Sequence, residues 1–527
     1  MRHEPSTAIE CTYVVRQDVP LDAITRSLAA LLPTRHQPIA RQRFTLLDTV
    51  DGRVRRAGAR LTKAGLNGNT LEWSTRGAAA HLTATVTEPI GFAWDLPAGP
   101  LRHVVADTVG PRRLLEQAEA EEYGSLLEVL DDRGKIIARV RIASARARLP
   151  EGRGPWESLP PVITLTGLRG YEGMYAQLVP VIESRPDVES CADGLEALML
   201  HRIGAPSWPV VSPKVHLPAA TVTADEGARR IHLALLGTLV ANERGVRDQV
   251  DTEFLHDFRV AVRRTRSLLT QIRRVFPPAI VEHFAAEFSW LGRLTGPPRD
   301  MDVLVLSIRA EHTGLSDSDA EALLAILGDL QQQEHRTLVD ALDGGRYARL
   351  LAAWRTFLDS PGEPHVDAPH AGRRLADVIS RRAWRLSRRI AASTDTIDEG
   401  TEAARLHEIR IAAKKLRYLI DVTPGFYEPA ALEGVLRALK HLQRVLGDFN
   451  DAHVQAGRLL ACRRSWRAAG GSPVIGRALA RLAGERRQQR AATLRPQVLA
   501  ALAHFGTDET RSACRRAFHQ VAVEERA

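Results

Sequence analysis

The stretch LHDFRVAVRRTRSLL, residues 255–269, decides how the second part of the chain is interpreted. Its apolar residues recur at helical spacing, and four arginines follow His256 within ten residues. On a helix Arg259, Arg263 and Arg266 share one face with His256, within about 80°, whereas Arg264 lies on the other side of the histidine. Like charges at i, i+4 cost roughly 0.2–0.5 kcal/mol, and a charge-assisted hydrogen bond to an anion contributes roughly 1.5–3 kcal/mol. The stretch therefore predicts a helix face that binds an anion.

A second copy of this strip supports the prediction. LHEIRIAAKKLRYLI, residues 406–420, aligns with it without gaps and places His407, Arg410, Lys414, Lys415 and Arg417 at the same offsets. The alternative for a single strip is that its charges solvate an exposed helix face or pair with nearby acids such as Asp257 and Glu408. Recurrence of the same offsets favours a shared role in binding.

A second motif follows each strip. WLGRLTGPPRDMDVLV starts at Trp290 and VLGDFNDAHVQ at Val445, and both give Leu-Gly, a spacer and Asp. Asp300 then corresponds to Asp451 if the first copy has a four-residue insertion, and the half-repeats are about 150 residues long. We interpret both aspartates as helix caps. A metal site formed with Asp302 and His453 is the alternative, and we predict no metal.

These paired motifs resemble the CHAD domain, the conserved histidine α-helical domain, over about residues 225–520. The resemblance rests on HDFRVAVRR with LGRLTGPPRDMDV, and on HEIRIAAKK with LGDFND. It implies two pseudo-symmetric helical bundles whose basic surface and central pore bind inorganic polyphosphate. It assigns that role to both strips, namely His256, Arg259, Arg263, Arg264, Arg266, His407, Arg410, Lys414, Lys415 and Arg417.

Charge is distributed unevenly along the 527 residues. Residues 1–220 carry 26 basic and 25 acidic side chains, whereas residues 221–527 carry 46 and 38. Of the 72 basic residues, only six are lysine, and guanidinium groups match phosphate oxygens bidentately. The basic excess therefore predicts an anionic partner for the second part of the chain.

The pattern before residue 205 predicts an α+β domain. Strands are expected in RQRFTLLDTVDGRVRRAGARLTKAG, NTLEWSTRG and VITLTGL, and two more around the turn Asp131–Gly134. Short helices are expected at LDAITRSLAALL and PRRLLEQAEAEE. Four prolines then interrupt residues 205–222. We predict a domain at 1–204, a linker at 205–222 and a helical domain at 223–527, with half-repeats at about 223–358 and 373–520.

The first domain resembles a divergent CYTH domain, the triphosphate tunnel fold, on RFTLLDTVDGRVRRAGARLTK. The resemblance implies an antiparallel barrel or tunnel, in which an anion would be held by Arg41, Arg43, Arg60, Lys63 and Arg76. The alternative for these cations is a solvated strand face. The family's Glu-x-Glu-x-Lys metal motif is mostly missing, because Glu10 is followed by Thr12 and Val14. One glutamate is too few to hold a divalent ion against a triphosphate.

We therefore expect a non-enzymatic protein that binds polyphosphate, with no catalytic residues and no cofactor. Protonation of the two histidines, near pH 6.5, would tighten binding at mildly acid pH. One alternative is a metal-dependent inorganic triphosphatase served by a polyphosphate-binding CHAD domain. A second is nucleic-acid binding, which lacks the interleaved aromatic residues typical of single-strand binders.

Cysteines and apolar runs bear on the location of the protein. Cys11, Cys191, Cys462 and Cys514 are far apart and form no CxxC pair, which argues against a disulfide frame or a zinc site. The N-terminal sequence lacks an apolar signal core, and the longest apolar run is too short to span a bilayer. We expect a cytoplasmic protein, associated with polyphosphate granules and not with membranes.

Overall fold

The computed structural model describes residues 10–64, 69–75, 81–168, 170–191, 193–206, 217, 221–310, 316–360 and 365–519. The chain forms two compact units, Met1–Val210 and Val211–Ala527. Most of the proline-rich segment 205–222 lies outside the described residues, so its role as a linker stays a prediction. The same holds for Arg76 and for the last residues of the chain.

Strands dominate the first unit, which we call the sheet unit. In chain order its elements are β1 (Glu10–Val15), α1 (Leu21–Leu31), β2 (Thr34–Asp48), α2 (Arg53–Arg56), β3 (Ala59–Ala64), β4 (Thr70–Thr75), β5 (His81–Thr85), α3 (Pro100–Val109), β6 (Leu115–Leu130), β7 (Ile136–Arg148), β8 (Glu157–Ser158), β9 (Val162–Gly167), α4 (Glu172–Glu183), β10 (Val188–Ser190) and α5 (Gly194–Arg202). The predicted α+β class is confirmed.

These strands form one antiparallel sheet in the order β10-β1-β9-β7-β6-β2-β3-β4-β5, with β8 paired to β7. The long hairpin of β6 and β7 turns at Asp131–Gly134, as predicted, and Asp131 N–H donates to Lys135 O at 2.8 Å. Within the described strands β10 and β5 remain separate edges, so the sheet is not closed. The antiparallel prediction is confirmed, and the barrel is not.

Helices cover the sheet in separate apolar clusters. Ile24 and Leu28 of α1 and Tyr175 of α4 pack against Val140 and Ile163 on the central strands. Helix α3 packs against β3 and β4 through a second cluster, which includes Leu61, Trp73 and Val105. Helix α5 closes a third cluster. Burial of these faces is the main favourable contribution to folding of the unit.

One predicted helix is wrong. PRRLLEQAEAEE was expected to be helical, but Leu115–Leu130 is strand β6, and the helix instead precedes it as α3. Alternate residues Ala118, Ala120 and Glu122 are buried, which is the period of two of a strand. Pairing with β2 on one side and β7 on the other overrides the helical propensity of alanine, leucine and glutamate.

The second unit, which we call the helical unit, consists of helices from Ala224 onward. They are α6 (Ala224–Arg247), α7 (Thr252–Gln271), α8 (Pro278–Leu294), α9 (Gly296–Ala310), α10 (Asp317–Asp343), α11 (Gly345–Asp359), α12 (Leu375–Ser393), α13 (Ala403–Val422), α14 (Pro429–Ala468), α15 (Pro473–Gln489), α16 (Arg495–Phe505) and α17 (Asp508–Phe518). None of the helices in the described residues is long and apolar enough to cross a membrane.

The duplication is visible in the register of the helices. Helices α6, α7 and α8 begin 151 residues before α12, α13 and α14. The same shift pairs Asp300 with Asp451 and Gly296 with Gly447. The four-residue insertion expected from the sequence is therefore not present, because it came from matching Gly292 with Gly447. Helix α14 runs unbroken where the first copy divides into α8 and α9, beside Pro297 and Pro298.

An aromatic core fixes α8 in place. Trp354 of α11 is fully buried, and its ring centroid lies 4.5 Å from that of Phe284 and 5.6 Å from that of Phe288. The ring of His232 on α6 lies 5.2 Å from it, edge-on. Burial lowers the pKa of His232 to about 3, so this histidine is a neutral part of the core.

Candidate functional site

Helices α7 and α13, which carry the two strips, contact each other directly. Arg263 Nη2 donates to the Tyr418 hydroxyl at 2.5 Å. Arg264 of α7 and Arg417 of α13 both donate to the carboxylate of Asp421, at 2.9 and 2.6 Å. These hydrogen bonds are charge-assisted and short, so they hold the two strips in a fixed relation.

Four cations meet where these helices touch. We call Arg259, Arg263, Arg410 and Lys414 the first basic cluster. Burial, then the charges of Arg263 and Arg410, lower the pKa of Lys414 to about 7. Burial and the charge of Arg263 lower the pKa of Arg259, and burial lowers that of Arg410, opposed by Asp451. Burial and neighbouring positive charge both disfavour the charged forms of these side chains, and a bound anion would offset that cost.

The second motif of each repeat contacts an arginine of the first basic cluster. Arg259 Nη1 donates to Gly292 O at 3.1 Å and to Thr295 Oγ1 at 3.2 Å, at the end of α8. In the second copy, Arg410 Nη2 lies 3.9 Å from Asp451 Oδ1. Strip and second motif follow each other in the same order in both halves, and in each half they are in contact.

Asp300 and Asp451 are not helix caps. Asp300 lies inside α9 and Asp451 in the middle of α14. The carboxylate of Asp300 lies 3.7 Å from Arg458 Nη2. Burial raises the pKa of Asp300, while the charges of Arg259 and Arg458 oppose that shift. The two aspartates act as counter-charges for the cluster, a role that requires tertiary contacts and is not encoded in local capping patterns.

The other residues of the alternative metal site point elsewhere. Asp302 is buried and accepts a hydrogen bond from Gln331 Nε2 at 2.6 Å. Burial raises the pKa of Asp302 to about 6. His453 is exposed on α14.

The strip residues do not all share one surface. Arg264 and Arg417 are engaged by Asp421, as above, with side chains about one-fifth exposed. Burial, then the charges of Arg382 and Arg389 on α12, lower the pKa of Lys415, and Arg266 adds to that effect. His256 is partly buried and His407 is exposed. The structure therefore joins only four of the ten predicted residues into the first basic cluster.

Three contributors to the site were missed from the sequence. Tyr418 and Asp421 lie within or just after the second strip, and Asp421 stands four residues after Arg417, an i, i+4 spacing that could have identified the pair. Arg458 lies on α14, and its approach to Asp300 depends on packing between the two halves. Tyr418 has no counterpart in the first strip, where Ser267 stands at that place.

The cations predicted to line a tunnel in the sheet unit are dispersed. Arg43 pairs with Glu119 at 2.8 Å, Lys63 with Glu116 at 3.5 Å, and Arg60 with Glu122 at 3.1 Å. The guanidinium of Arg41 lies 5.0 Å over the Tyr123 ring. Of these four, Arg60 borders the cavity of the unit.

That cavity has a volume of about 380 Å³. Its wall includes Arg60, Arg139, Arg141, Glu10, Thr166 and Glu196. Opposite Glu10 in the sheet, β9 presents Thr166 rather than a carboxylate, and Glu196 lies 3.6 Å from Arg60. This donor set does not fit a divalent metal that binds a triphosphate, so no hydrolytic step is derived from it.

The helical unit is thus a duplicated, basic helical bundle in which the two strips bring four cations together. Residues 230–460 match the family model of the CHAD domain, so this unit contains a CHAD domain, as the resemblance predicted. The family match lies within the helical unit, and the CYTH resemblance of the sheet unit stays a prediction.

Similar proteins were found by sequence and by structure. Two uncharacterised proteins of Mycobacterium tuberculosis, from different strains, are 29% identical over 215 residues, which is 39% of this chain. The match spans 40% of the length of those relatives. The CHAD domain from the plant Ricinus communis is 25% identical with a TM-score of 0.46, covering 55% of this chain and 96% of that one. PptA from Streptomyces chartreusis is 15% identical with a TM-score of 0.41, covering 53% of this chain and 99% of that one.

Proposed function

We propose that the CHAD-containing helical unit binds inorganic polyphosphate through its two strips. The observation that carries this proposal is the first basic cluster, in which Arg259, Arg263, Arg410 and Lys414 are brought together despite their mutual repulsion. A linear polyanion satisfies several guanidinium and ammonium donors at once and removes that repulsion.

The carboxylate beside the first basic cluster leaves Arg410 accessible to an anionic ligand. Asp451 lies 3.9 Å from Arg410, longer than a direct hydrogen bond, and its carboxylate is about half exposed. A phosphate oxygen can therefore approach Arg410 without first breaking a short ion pair. His407, exposed at the start of the strip, would add a hydrogen bond to phosphate.

The sheet unit is proposed to be a CYTH-like domain without hydrolase activity. Its cavity retains Glu10 and Arg60, but the other carboxylate in the wall, Glu196, lies 3.6 Å from Arg60, and Thr166 stands opposite Glu10. We place the protein in the cytoplasm, with polyphosphate granules as its partner. Triphosphate hydrolysis is tested by phosphate release from tripolyphosphate with magnesium or manganese, and turnover that Glu10→Gln abolishes would replace the non-enzymatic proposal.

The central experiment compares the two halves of the first basic cluster. Affinity for long-chain polyphosphate is measured for Arg259→Ala/Arg263→Ala and for Arg410→Ala/Lys414→Ala, with Arg437→Ala/Arg464→Ala as a charge-matched control on exposed helix surface. We expect each cluster variant to lose at least about tenfold in affinity, since each removes two charge-assisted contacts. Wild-type affinity in both cluster variants would contradict the proposal.

Competition separates polyphosphate from nucleic acid. We expect long-chain polyphosphate to remain bound when DNA or RNA is added at an equal concentration of phosphate. Displacement by nucleic acid would favour the nucleic-acid alternative, whose backbone contacts also weaken steeply with salt.

A further inference from the structure

The cavity of the sheet unit is bounded by strands from distant places in the sheet. Residues of β1, β9 and β7 contribute to its wall, and so do residues of β3 and β4, which are not neighbours of β1 or β9. Helix α5 adds Leu195 and Glu196. The sheet therefore curves around the cavity, whose volume of about 380 Å³ is in the range of sites for small molecules.

Positive and negative charges are balanced in much of this wall. Arg60 Nη2 lies 3.1 Å from a carboxylate oxygen of Glu122, and Arg60 Nε lies 3.6 Å from one of Glu196. Arg141 pairs with the same Glu122. Burial opposes the charged form of Arg60, but the charges of Glu122 and Glu196 raise its pKa. These two guanidinium groups already have counter-charges, so a polyanion would gain little from them.

A row of polar side chains crosses the wall from β1 to β7. In the strand register Glu10 faces Thr166, and Thr166 faces Arg139. Thr166 Oγ1 donates to Glu10 Oε2 at 3.4 Å. The side chain of Arg139 is 43% exposed, and Glu128 lies 3.9 Å from its Nε, beyond hydrogen-bond distance. Neighbouring strands lie about 4.8 Å apart, so the backbones of Glu10 and Arg139 are roughly 10 Å apart on one face of the sheet.

The adjacent row supplies further hydroxyl groups. Thr12 faces Thr164, which in turn faces Arg141, and all three residues belong to the cavity wall. The alternate residues Tyr13 and Ile163 are buried on the opposite face, in the apolar cluster with α1 and α4. A hydroxyl group both donates and accepts hydrogen bonds, so these threonines can contact an ammonium or a carboxylate.

Apolar side chains complete the wall. Leu126, Leu168 and Leu195 line the same cavity. Apolar surface combined with a few polar groups is typical of sites for small organic molecules. The leucines offer contacts to an aliphatic group, which an inorganic phosphate does not have.

We propose that this cavity is a binding site for a small zwitterion, namely an α-amino acid with an aliphatic side chain. The guanidinium of Arg139 binds the carboxylate of the ligand, and Glu10 together with the hydroxyls of Thr12 and Thr166 binds its ammonium. Opposite charges at the two ends of the polar row match a ligand that carries both charges. The inference goes beyond the proposed function, which concerns polyphosphate and the helical unit.

The experiment starts from a screen of the full chain. Thermal denaturation is followed with each of the protein amino acids in turn, since a ligand that binds the folded state raises the unfolding temperature. The amino acid with the largest effect is then titrated calorimetrically, beside one analogue that lacks the ammonium and one that lacks the carboxylate. For leucine these analogues are isocaproate and isoamylamine. Tripolyphosphate is titrated as the competing ligand.

Three variants are compared with wild type: Glu10→Gln, Arg139→Gln and the control Glu88→Gln/Arg133→Gln, whose side chains are exposed in the same unit. Circular dichroism checks that each is folded. We expect wild type to bind the amino acid at least about tenfold more tightly than either analogue, since each analogue lacks one charge-assisted contact. Glu10→Gln and Arg139→Gln should each lose about tenfold in affinity for the amino acid, and the control should stay near wild type.

The pairing of variants with analogues separates a lost contact from a disturbed cavity. Glu10→Gln should leave the affinity for the analogue without ammonium unchanged, and Arg139→Gln should do so for the analogue without carboxylate. Equal losses for all three ligands would contradict the assigned contacts. If Arg139→Gln does not fold, Arg139→Lys replaces it, because lysine keeps the charge but loses the bidentate fork. It should weaken binding of the amino acid and not of the analogue without carboxylate.

Two results would overturn the inference. One is the absence of any thermal shift or binding heat with the protein amino acids at millimolar concentration. The other is binding of tripolyphosphate that Arg139→Gln abolishes and that displaces the amino acid, because the cavity would then be an anion site. Neither result affects the proposed function of the helical unit, which is tested on the first basic cluster.

Discussion

Arginines of the sheet unit and the cations of the first basic cluster occupy opposite electrostatic surroundings. In the sheet unit Glu119 accepts from Arg43 at 2.8 Å and from Arg148 at 2.7 Å, and both guanidinium groups also lie over the Trp156 ring. In the first basic cluster, burial and the charge of Arg263 instead lower the pKa of both Arg259 and Lys414. The same residue type thus forms an ion-pair network in one region and a group of neighbouring cations in the other.

The difference teaches that the number of arginines does not identify a binding site. In the sheet unit most strand arginines pair with a glutamate of β6, an arrangement that contributes cross-strand stabilisation. The first basic cluster instead sets Arg263 beside the cations Arg259 and Lys414. The proposed anionic ligand would complete this second arrangement, whereas the first is already complete.

The largest change in stability is expected when a buried carboxylate of the sheet unit is neutralised. Glu122, whose side chain is 4% exposed, pairs with both Arg60 and Arg141. Glu122→Gln should destabilise the protein by about 3–5 kcal/mol, since it removes the buried negative charge that Arg60 and Arg141 share. Urea unfolding followed by tryptophan fluorescence measures the loss. Glu116→Gln, at an exposed pair, should change stability by less than about 1 kcal/mol, and equal effects for the two would refute the contrast.

Removing a cation from the first basic cluster should instead increase the free energy of unfolding. The folded-state pKa of Lys414, about 7, lies below the ordinary value of 10.5. Charged Lys414 therefore destabilises the folded state fully below pH 7, and this destabilisation disappears as the pH rises to about 10.5. Lys414→Met should therefore stabilise the ligand-free protein at pH 6.5 by roughly 1–2 kcal/mol, and less at pH 9.5. Urea midpoints at both pH values give the comparison, and a destabilised variant at pH 6.5 would contradict it.

Titration of Lys414 should also make the affinity for polyphosphate depend on pH. A polyanion favours the charged form of Lys414, so affinity for polyphosphate should fall about tenfold as pH rises from 6 to 8. Arg263, Arg410, Arg259 and Asp451 are the charges that face Lys414. Lys414→Arg keeps its charge throughout this range and should therefore lose this part of the pH dependence. Identical pH profiles for wild type and Lys414→Arg would exclude Lys414 as the titrating group.

The smallest effect, on affinity for polyphosphate, is expected at Asp421, where strip arginines are paired with a carboxylate. Asp421 neutralises Arg264 and Arg417 within the helical unit, as the carboxylates of the sheet unit do for their arginines. Asp421→Asn should free both guanidinium groups and raise affinity for polyphosphate about two- to threefold. Thr270→Asn, at the matching place in the first strip, is the control, and a fall in affinity for Asp421→Asn would show that Asp421 positions the strips instead.

Much of the architecture could be predicted from the sequence because it depends on local periodicity. The start of the helical unit at Ala224, the hairpin turning at Asp131–Gly134 and the duplication all follow from spacing and turn residues. Strand β6 could not be predicted in this way. Its leucine, alanine and glutamate favour a helix, and only its two neighbours in the sheet determine that it is extended.

The candidate site was predicted in part for the same reason. Helical spacing correctly placed Arg259 and Arg263 on one face, but spacing along one helix cannot show which other helix lies opposite. Arg266 and Lys415 join α12, and Arg264 is engaged by Asp421, because of how α7, α12 and α13 pack. Cross-strand partners likewise decided that Arg43 and Lys63 are paired.

The contact between Tyr418, Asp421 and the first strip also limits how the duplicated halves can be recombined. The first half carries Ser267 and Thr270 at the matching places. A chain assembled from two copies of the first half would keep every arginine of α7 yet lack the phenol and the carboxylate that orient Arg263 and Arg264. The halves have become complementary rather than interchangeable, so divergence after duplication, and not the repeat itself, made the junction specific.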